Sequence, residues 1–268
     1  MRKSLVLAVG VCFCALGFAQ DQTMKPPKVL VIMRENLKPG KAGTTHEKSE
    51  SAFVNAFRSA KWPEHYLAMD SQSGAPRALF FVGYDSFAAW EKDTLDTAKN
   101  AALSAALDRA QIADGELLTG YESSAFVFLP EQSYNVDLNI AQMRYMEISR
   151  FHVRPGHDKE WSDLAKLYVE NYGKAVPDAH WALYQEQYGQ GGDVVLVITP
   201  MKSLAEVDKE SADYKKFSDL MGPDKMKTLS DMFASAVDIA QTNLFAFNPR
   251  ESYAPDTWVK ADPSFWKP

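Results

Sequence analysis

One sequence pattern occurs twice in this chain: Met146-Glu-Ile-Ser-Arg-Phe-His-Val-Arg-Pro-Gly156 and, with equivalent residues 116 positions earlier, Ile32-Met-Arg-Glu-Asn-Leu-Lys-Pro-Gly40. Three residues are the same at equivalent positions, namely Arg34 and Arg150, Pro39 and Pro155, and Gly40 and Gly156. Each copy reads as an apolar strand that ends in a Pro-Gly turn and leads into an amphipathic helix. The two halves also end alike, in Phe126-Val-Phe-Leu-Pro-Glu-Gln-Ser-Tyr134 and Phe245-Ala-Phe-Asn-Pro-Arg-Glu-Ser-Tyr253. A repeat of this length is too long for a solenoid unit, so the sequence predicts a duplicated domain.

The hydrophobic periodicity predicts the order β-α-β-β-α-β in each half, which is the ferredoxin-like unit. Strands are predicted over Val29–Leu37, Tyr66–Ser71, Arg77–Tyr84, Tyr121–Leu129, Met143–Val153, His180–Glu186 and Val194–Thr199, and in a last strand that contains Phe245. Helices are predicted from a capping box of Thr44 and Glu47, from Ser86 to about Ala113, from an Asp158 cap, and on both sides of Gly222-Pro223. A sheet of this kind carries helices on one face, so we expect the two halves to cover each other's free faces.

The chain divides into six predicted segments. These are a signal peptide at 1–19, an extended lead-in at 20–28, a first ferredoxin-like repeat at 29–130, a connector at 131–142, a second repeat at 143–249, and a tail at 250–268. The tail carries four aromatic residues, Tyr253, Trp258, Phe265 and Trp266. We expect so aromatic a tail to pack on the body of the protein or on a partner.

The N-terminus has the features of a secretory signal. Arg2 and Lys3 precede an uncharged run from Leu5 to Phe18, and Ala19 is the predicted cleavage position. The run is shorter than the ~20 residues that a membrane-spanning helix needs, so a retained anchor is the weaker interpretation. The sequence therefore predicts an exported protein, periplasmic or secreted. Both cysteines precede the cleavage position, so the mature chain would contain no disulfide.

Composition and charge exclude some classes of partner. The 268 residues are 46% hydrophobic and 24% charged, which is ordinary for a globular protein. Without the predicted signal, the sequence has 27 basic and 35 acidic residues, which gives a formal charge of −8. The basic residues do not form a cluster in the sequence. We therefore expect no nucleic-acid binding, and no membrane association after cleavage. The local motifs of serine hydrolases, zinc proteases and P-loop nucleotidases are absent from the sequence.

The duplicated pattern resembles the dimeric α+β barrel superfamily, and the stretch from Met146 to Gly156 resembles the opening strand of NIPSNAP and antibiotic-biosynthesis-monooxygenase-like domains. In the NIPSNAP pattern a Glu stands at Glu147, an aromatic residue at Phe151, and a basic-Pro-Gly sequence at 154–156. The arginine usual in that pattern falls on Ser149, and Val31 replaces the Glu in the first half. The resemblance implies an α+β fold in which tandem ferredoxin-like repeats form one barrel within a single chain. Superfamily members include monooxygenases, haem enzymes such as chlorite dismutase-like proteins, isomerases, and domains of unassigned role.

Strand alternation predicts which side chains face the barrel interior. Applied to the second half, it places Tyr145, Glu147, Ser149, His180, Ala182 and Tyr184 inside the barrel, and Met146, Ile148, Trp181 and Leu183 under the helices. The same phase in the first half places Val29, Val31, Met33, Tyr66, Ala68 and Asp70 inside. A slip of one residue would reverse both sets.

Polar groups inside a barrel predict a ligand cavity, because burying them without a partner costs several kcal/mol. We predict that Glu147 and His180 are catalytic residues that exchange a proton, and that Tyr145, Ser149 and Tyr184 bind the ligand. The alternative is that Glu147 and His180 form a structural pair near a barrel mouth.

No metal site is predicted. His152, His157 and Asp158 surround a turn, where histidines are usually solvated. His46 and Glu50 lie one helical turn apart, but we place them on the polar face of an exposed helix. The cofactor is left unknown, with haem on His180 as one option.

The sequence thus supports three hypotheses. The first is an exported small-molecule-binding protein, with cofactor-independent proton transfer or oxygenation as its chemistry if it is an enzyme. The second is a non-catalytic interaction module that docks through the aromatic tail, and the third is a haem-binding protein. The ligand, the reaction and the oligomeric state are left open, a homo-oligomer included.

Overall fold

Eight strands close into one barrel in the computed structural model, which describes residues 24–189 and 191–267. The predicted signal peptide lies outside the described residues. The strands are β1 Val29–Leu37, β2 Tyr66–Ser71, β3 Arg77–Tyr84, β4 Leu118–Phe128, β5 Tyr145–Val153, β6 Ala182–Tyr188, β7 Val194–Met201 and β8 Val237–Phe247. The helices are α1 Thr44–Ala60, α2 Phe87–Lys99, α3 Ala101–Gly115, α4 Asp158–Ala175, α5 Val207–Ala236, α6 Asp256–Ala261 and α7 Pro263–Trp266. Short 3-10 turns occupy Pro130–Gln132, Ile140–Gln142 and Leu204–Glu206.

Each half of the chain contributes four adjacent strands to the barrel. The closed order is β1-β3-β2-β8-β5-β7-β6-β4, so both halves have the spatial order fourth, first, third, second. All the neighbouring strands are antiparallel, and the halves meet where β2 pairs with β8 and where β4 pairs with β6. Closure leaves no strand with an unpaired edge, which removes a common site of aggregation.

The first strands of the two halves are equivalent in detail. β1 and β5 have the same length, and their bounds differ by the 116 positions of the sequence repeat. Each strand pairs with the third and the fourth strand of its own half. Its register with the fourth strand shifts between the same two positions, Asn36 and Leu37 in β1 and His152 and Val153 in β5.

Alternate residues of these strands fill the barrel. Leu30 and Ile32 of β1 and Met146 and Ile148 of β5 belong to one buried cluster, which also contains Tyr184. Complete burial of such an aliphatic side chain stabilises a fold by roughly 1.5–3 kcal/mol. The other residues of each strand lie under helices, where separate apolar clusters form in each half.

The predicted faces of β1, β2 and β5 were wrong. Met146 and Ile148 lie inside the barrel, whereas Glu147 and Ser149 line a space beneath the helices. In the first half, Val29, Val31, Tyr66 and Ala68 likewise belong to clusters on the helix side. The prediction for β6 was correct for Ala182 and Tyr184, which face the barrel core, and for Leu183, which faces the helices. It was wrong for His180, which precedes β6 and lines the space beneath the helices. A strand that is covered on both faces shows little hydrophobic contrast between them, so its sequence does not fix the phase.

Two predicted helix caps also differ from the structure. Thr44 and Asp158 are the first residues of α1 and α4 and not their caps, which are Gly43 and His157. Ser86 does cap α2, because its hydroxyl accepts a hydrogen bond from the Ala89 backbone N–H. The predicted break at Gly222-Pro223 interrupts α5, where Gly222 has a φ of 73° and a ψ of 165°.

The aromatic tail packs on its own body. Trp266 joins the buried cluster of the barrel, with Trp258 and Phe265 packed against it. The indole N–H of Trp266 donates to the Ala141 carbonyl oxygen at 2.8 Å. Arg144 forms an ion pair with Asp262 and lies over the Phe265 ring at 4.0 Å from its centroid. The tail therefore buries Tyr253 and Trp266 and partly buries Trp258 and Phe265, the aromatic residues that the interaction-module hypothesis needs at the surface. No helix of the described residues has the length and apolar character to cross a membrane.

Candidate functional site

A cavity of about 750 Å³ lies between the sheet and the helices of the second half. Its floor is formed by β5 and β7, its walls by α4 and α5, and one end by the segment that leads into β6. Aromatic side chains dominate the lining: Phe151, Trp161, Tyr168, Tyr172, Trp181, Tyr214 and Phe233. This volume falls in the range of small-molecule sites, and mixed aromatic and polar linings are typical of them.

Two periodicities produce this lining. Glu147, Ser149 and Phe151 alternate along β5, so all three side chains leave the same face of the sheet. Trp161 and Tyr168 lie two helical turns apart on α4 and face the strand. The rings of Phe151 and Trp161 pack with their centroids 5.3 Å apart, which closes one end of the floor.

Glu147 is half-buried in this cavity and makes no side-chain hydrogen bond with a described residue. Burial raises the pKa of Glu147, and the nearby carboxylate of Glu210 raises it further. The pKa of Glu210 is raised by burial as well. A carboxyl group with a raised pKa and no protein partner can bind a ligand as a hydrogen-bond acceptor, or exchange a proton with it.

His180 lines the same cavity, but it is not hydrogen-bonded to Glu147 in the described part of the chain. Its Nε2–H donates to the Pro200 carbonyl oxygen at 2.6 Å. Its Nδ1 lies 3.4 Å from the Asp178 carbonyl oxygen. The structure thus brings the two predicted catalytic residues to one cavity without forming the predicted pair. A proton could pass between them only through a ligand or a water molecule.

Of the three predicted ligand-binding residues, only Ser149 lines the cavity. Its hydroxyl is 2.7 Å from the hydroxyl of Thr242 on β8. Tyr184 does not line this cavity: it is buried in the barrel core, where its hydroxyl donates to the Pro27 carbonyl oxygen at 3.1 Å. Tyr145 is not among the cavity-lining residues either. Because the phase of β5 is the reverse of the predicted one, Glu147 and Tyr184 lie on opposite faces of the sheet.

Two further polar atoms of the lining have no hydrogen-bond partner among the residues that the structure describes. They are the indole Nε1 of Trp161 and the side-chain Oε1 of Gln132, and both are buried. A buried unpaired donor or acceptor costs about 1–3 kcal/mol, which a ligand carrying the complementary group would recover. Trp161 appeared in the sequence as an apolar helix position, and Gln132 gave no signal because it comes from the connector.

Haem does not fit the histidine of this cavity. Haem iron needs a protein ligand that directs a lone pair at it. Both ring nitrogens of His180 face backbone carbonyl oxygens, at 2.6 Å and 3.4 Å. His180 therefore offers no free nitrogen as an axial ligand.

A second group of polar residues is buried in the first half of the chain. His46 and Glu50 of α1 lie together with Glu35 of β1, Asp114 of α3 and Glu251, which follows β8. All five side chains are buried, and His46 is 0% exposed. The predicted position of His46 and Glu50 on an exposed helix face was therefore wrong. We call these five residues the His46 cluster.

Charge and burial oppose each other in the His46 cluster. Burial lowers the pKa of His46, but hydrogen bonds to Glu251 and Glu35 outweigh it and raise the pKa to about 11. Burial raises the pKa of Glu251 to about 7, and it raises the pKa of Glu50 well above its ordinary value. Carboxylates and imidazole are ligands for divalent metals, so this cluster is where the described residues could hold an ion.

The histidines near the Pro-Gly turn do not form a joint site. Nδ1 of His152 contacts Asp238 at 2.7 Å, and Nδ1 of His157 contacts Glu160 at 2.7 Å. Each histidine thus has its own acidic partner.

Comparison with known proteins supports the fold. No protein-family model and no curated protein matches this sequence. A candidate monooxygenase from Fusobacterium nucleatum is 13% identical with a TM-score of 0.53, covering 84% of this chain and 94% of that chain. An anthrone oxidase-like protein is 14% identical with a TM-score of 0.51, covering 86% and 93%. A chlorite dismutase variant from Candidatus Nitrospira defluvii is 10% identical with a TM-score of 0.52, covering 90% and 98%. At such identities the likeness concerns the fold alone, and together with the closed eight-stranded barrel it shows that this chain has the dimeric α+β barrel fold.

Proposed function

We propose that this protein binds a small, flat and mostly apolar molecule, carrying a hydroxyl or amino group, in the cavity of the second half. The observation that carries the proposal is the position of Glu147, half-buried above an aromatic lining and without a hydrogen bond to a described residue. Aromatic walls favour a flat apolar ligand, and the carboxyl group of Glu147 favours one that donates a hydrogen bond. The unpaired atoms of Trp161 and Gln132 would orient its polar groups.

Proton transfer is the chemistry that Glu147 supports. A carboxyl group whose pKa is raised by burial and by a neighbouring carboxylate can remove a proton from a bound hydroxyl group and return it elsewhere on the ligand. His180 lines the same cavity without a hydrogen bond to Glu147, so it can receive a proton only through the ligand or through water. Oxygenation is the second reaction in this proposal, suggested by neighbours described as a candidate monooxygenase and an anthrone oxidase-like protein.

We further propose that the mature protein is exported and that its halves are two copies of one ferredoxin-like unit. Export rests on Arg2 and Lys3, on the apolar run from Leu5 to Phe18, and on the small residue Ala19. Duplication is supported by the spacing of 116 positions between β1 and β5 and by their matching bulges. The short NIPSNAP-like stretch from Met146 to Gly156 supports the same assignment.

Ligand binding can be tested with two probes that differ by one hydroxyl group, 2-naphthol and naphthalene. Trp161 and Trp181 line the cavity, so binding should change tryptophan fluorescence in a saturable way. We expect Glu147→Gln to weaken the binding of 2-naphthol about 10-fold, because a charge-assisted hydrogen bond is lost. The affinity for naphthalene should be unchanged. Glu91→Gln, on the exposed surface of α2, is the matched control and should bind both probes like the parent.

A second variant tests the cavity itself. Leu164→Trp fills space in the lining and should abolish binding of both probes, while circular dichroism shows a retained fold. Incubation of the parent with 2-naphthol in air, followed by mass spectrometry, tests for proton transfer and oxygenation products. If Leu164→Trp is folded and binds like the parent, the cavity is not the site and the proposal is wrong.

A further inference from the structure

The His46 cluster gathers its members from distant parts of the chain. Nε2 of His46 lies 2.9 Å from Oε2 of Glu35, 3.9 Å from Oε1 of Glu50 and 3.8 Å from Oδ1 of Asp114. One ligand atom from each of these four residues lies within 4.8 Å of the other three. Donor atoms that share one ion at about 2.0–2.2 Å lie roughly 3–4.4 Å apart, so the spacing suits a single small cation.

The carboxylates of the cluster have too few partners within the protein. Among the described residues, no lysine or arginine forms an ion pair with Glu35, Glu50, Asp114 or Glu251. Oε1 of Glu50 and both side-chain oxygens of Asp114 are buried without a hydrogen bond to any described residue, and these side chains are 4% and 2% exposed. Buried charges of this kind are normally paired or coordinated to a metal.

The histidine is oriented as a metal ligand. Its Nδ1–H donates to Oε1 of Glu251 at 3.0 Å, and Nε2 lies on the other side of the ring, 2.9 Å from Oε2 of Glu35 and toward Glu50 and Asp114. A metal ion would take the place of the Nε2 proton. A carboxylate that fixes the tautomer of a ligating histidine in this way is a recurrent part of metal sites. Asp70 lies near the same side of the ring as Glu251 and accepts a hydrogen bond from Asn248 at 2.7 Å.

We propose that the His46 cluster binds one divalent first-row transition metal ion. The ligands are Nε2 of His46 and the carboxylates of Glu35, Glu50 and Asp114, and Glu251 is a positioning residue. Three carboxylates and one imidazole favour Mn²⁺, Fe²⁺ or Zn²⁺ over Ca²⁺ and Mg²⁺, which prefer oxygen ligands only. The site is independent of the ligand cavity, because it lies under the helices of the other half and shares no residue with it.

The competing explanation is a purely structural network in which protons take the place of the metal. A protonated carboxyl group of Asp114 would donate a hydrogen bond, yet neither of its oxygens lies within hydrogen-bond distance of a described residue, and Nε2 of His46 is 3.8 Å from Oδ1. An ion between Nε2 of His46 and the three carboxylates would contact Asp114 and Glu50 at once.

The test uses the full mature protein, unfolded in guanidinium chloride with EDTA and then refolded with Mn²⁺ or Zn²⁺, since the site is buried. Metal is quantified by inductively coupled plasma mass spectrometry after gel filtration, and affinity by competition with a chelator. We expect one ion per chain. Asp114→Asn and Glu50→Gln should each weaken binding at least about 100-fold, and Glu251→Gln about 10–100-fold with unchanged stoichiometry. Glu147→Gln, in the other half, should bind metal like the parent.

Three results would overturn the proposal. They are a refolded parent with no bound Mn²⁺ or Zn²⁺, an Asp114→Asn variant that binds as tightly as the parent, and an equal loss in Glu147→Gln. Circular dichroism confirms that each variant is folded. Asp114→Asn and Glu50→Gln change few atoms, so they separate loss of ligation from loss of fold. The naphthol assay on the same samples distinguishes failure of this site from failure of the ligand cavity.

Discussion

Oε1 of Glu251 accepts a hydrogen bond from Nδ1–H of His46 at 3.0 Å, joining residues 205 positions apart. The bond connects the segment after the last barrel strand to the beginning of α1. The C-terminal segment is thus tied to the first half of the chain by a buried polar contact as well as by the packing of its aromatic residues.

The first prediction concerns like charges in the His46 cluster. In EDTA, Asp114→Asn should unfold at a higher urea concentration than the parent, because it removes one of several buried carboxylates. Glu35, Glu50, Asp114 and Glu251 have like charges when ionised, so a neutral amide in place of one of them relieves part of their mutual repulsion. With saturating Mn²⁺ the parent should become the more stable of the two proteins, because it gains binding free energy that the variant lacks. The measurement is urea unfolding with and without metal, and an unchanged order in Mn²⁺ would contradict the prediction.

The second prediction is a pH dependence from Glu147. Its pKa in the folded protein is raised from 4.5 by burial and by Glu210, so the folded state keeps the proton to a higher pH than the unfolded chain does. The contribution of Glu147 to stability is therefore complete below about pH 4.5 and is lost as the pH rises through the raised pKa. Glu147→Gln should match the parent at pH 4 and have a higher Tm at pH 8. Thermal unfolding at both pH values checks this, with Glu91→Gln expected to show no such difference.

The third prediction concerns the end of the barrel. Trp266→Ala should lower the free energy of unfolding by about 3–5 kcal/mol, because it leaves a cavity next to Phe247 and Trp258. The exposed Ile112 is the control, and Ile112→Ala should change stability by less than about 0.5 kcal/mol. Urea unfolding measures both. An equally small effect at Trp266 would mean that the tail does not stabilise the barrel.

The fourth prediction concerns the break in α5. Gly222 has a φ of 73° and a ψ of 165°, a conformation that residues with a side chain rarely adopt. Gly222→Ala should therefore cost about 1–3 kcal/mol, although nothing lies within 4 Å of the added methyl group. Gly115 at the end of α3 has equal space and no positive φ, so Gly115→Ala should be neutral or slightly stabilising. Similar unfolding curves for the two variants would rule out backbone strain at Gly222.

The sequence predicted the strands better than their faces. The bounds of β1, β2 and β3 agree with the prediction, because turn residues mark both ends of each strand. The prediction of their faces failed because these strands are covered on both sides, by the barrel core and by the helices. Apolar residues therefore occupy both sets of alternating positions. Some later boundaries shifted by two or three residues, for example at β6, which begins at Ala182 and not at the predicted His180.

The candidate sites were predicted only in part. The predicted site residues Glu147, Ser149 and His180 line one cavity, which lies on the opposite side of the sheet from the one expected. The His46 cluster was missed because it depends on Glu251, far away in the sequence. One signal was available: His46 and Glu50 lie seven residues before Phe53 and Phe57, which places them on the apolar side of α1.

The closure of the barrel within one chain has a consequence for specialisation. A barrel assembled from two identical subunits must carry every substitution twice, so its two halves keep the same lining. Here each half can change alone. The space under the helices of the second half is an open aromatic cavity, while the corresponding region of the first half is filled by buried carboxylates around His46. One half is thus free to form a ligand cavity while the other is free to form a buried polar cluster, and neither change alters the lining of the other half.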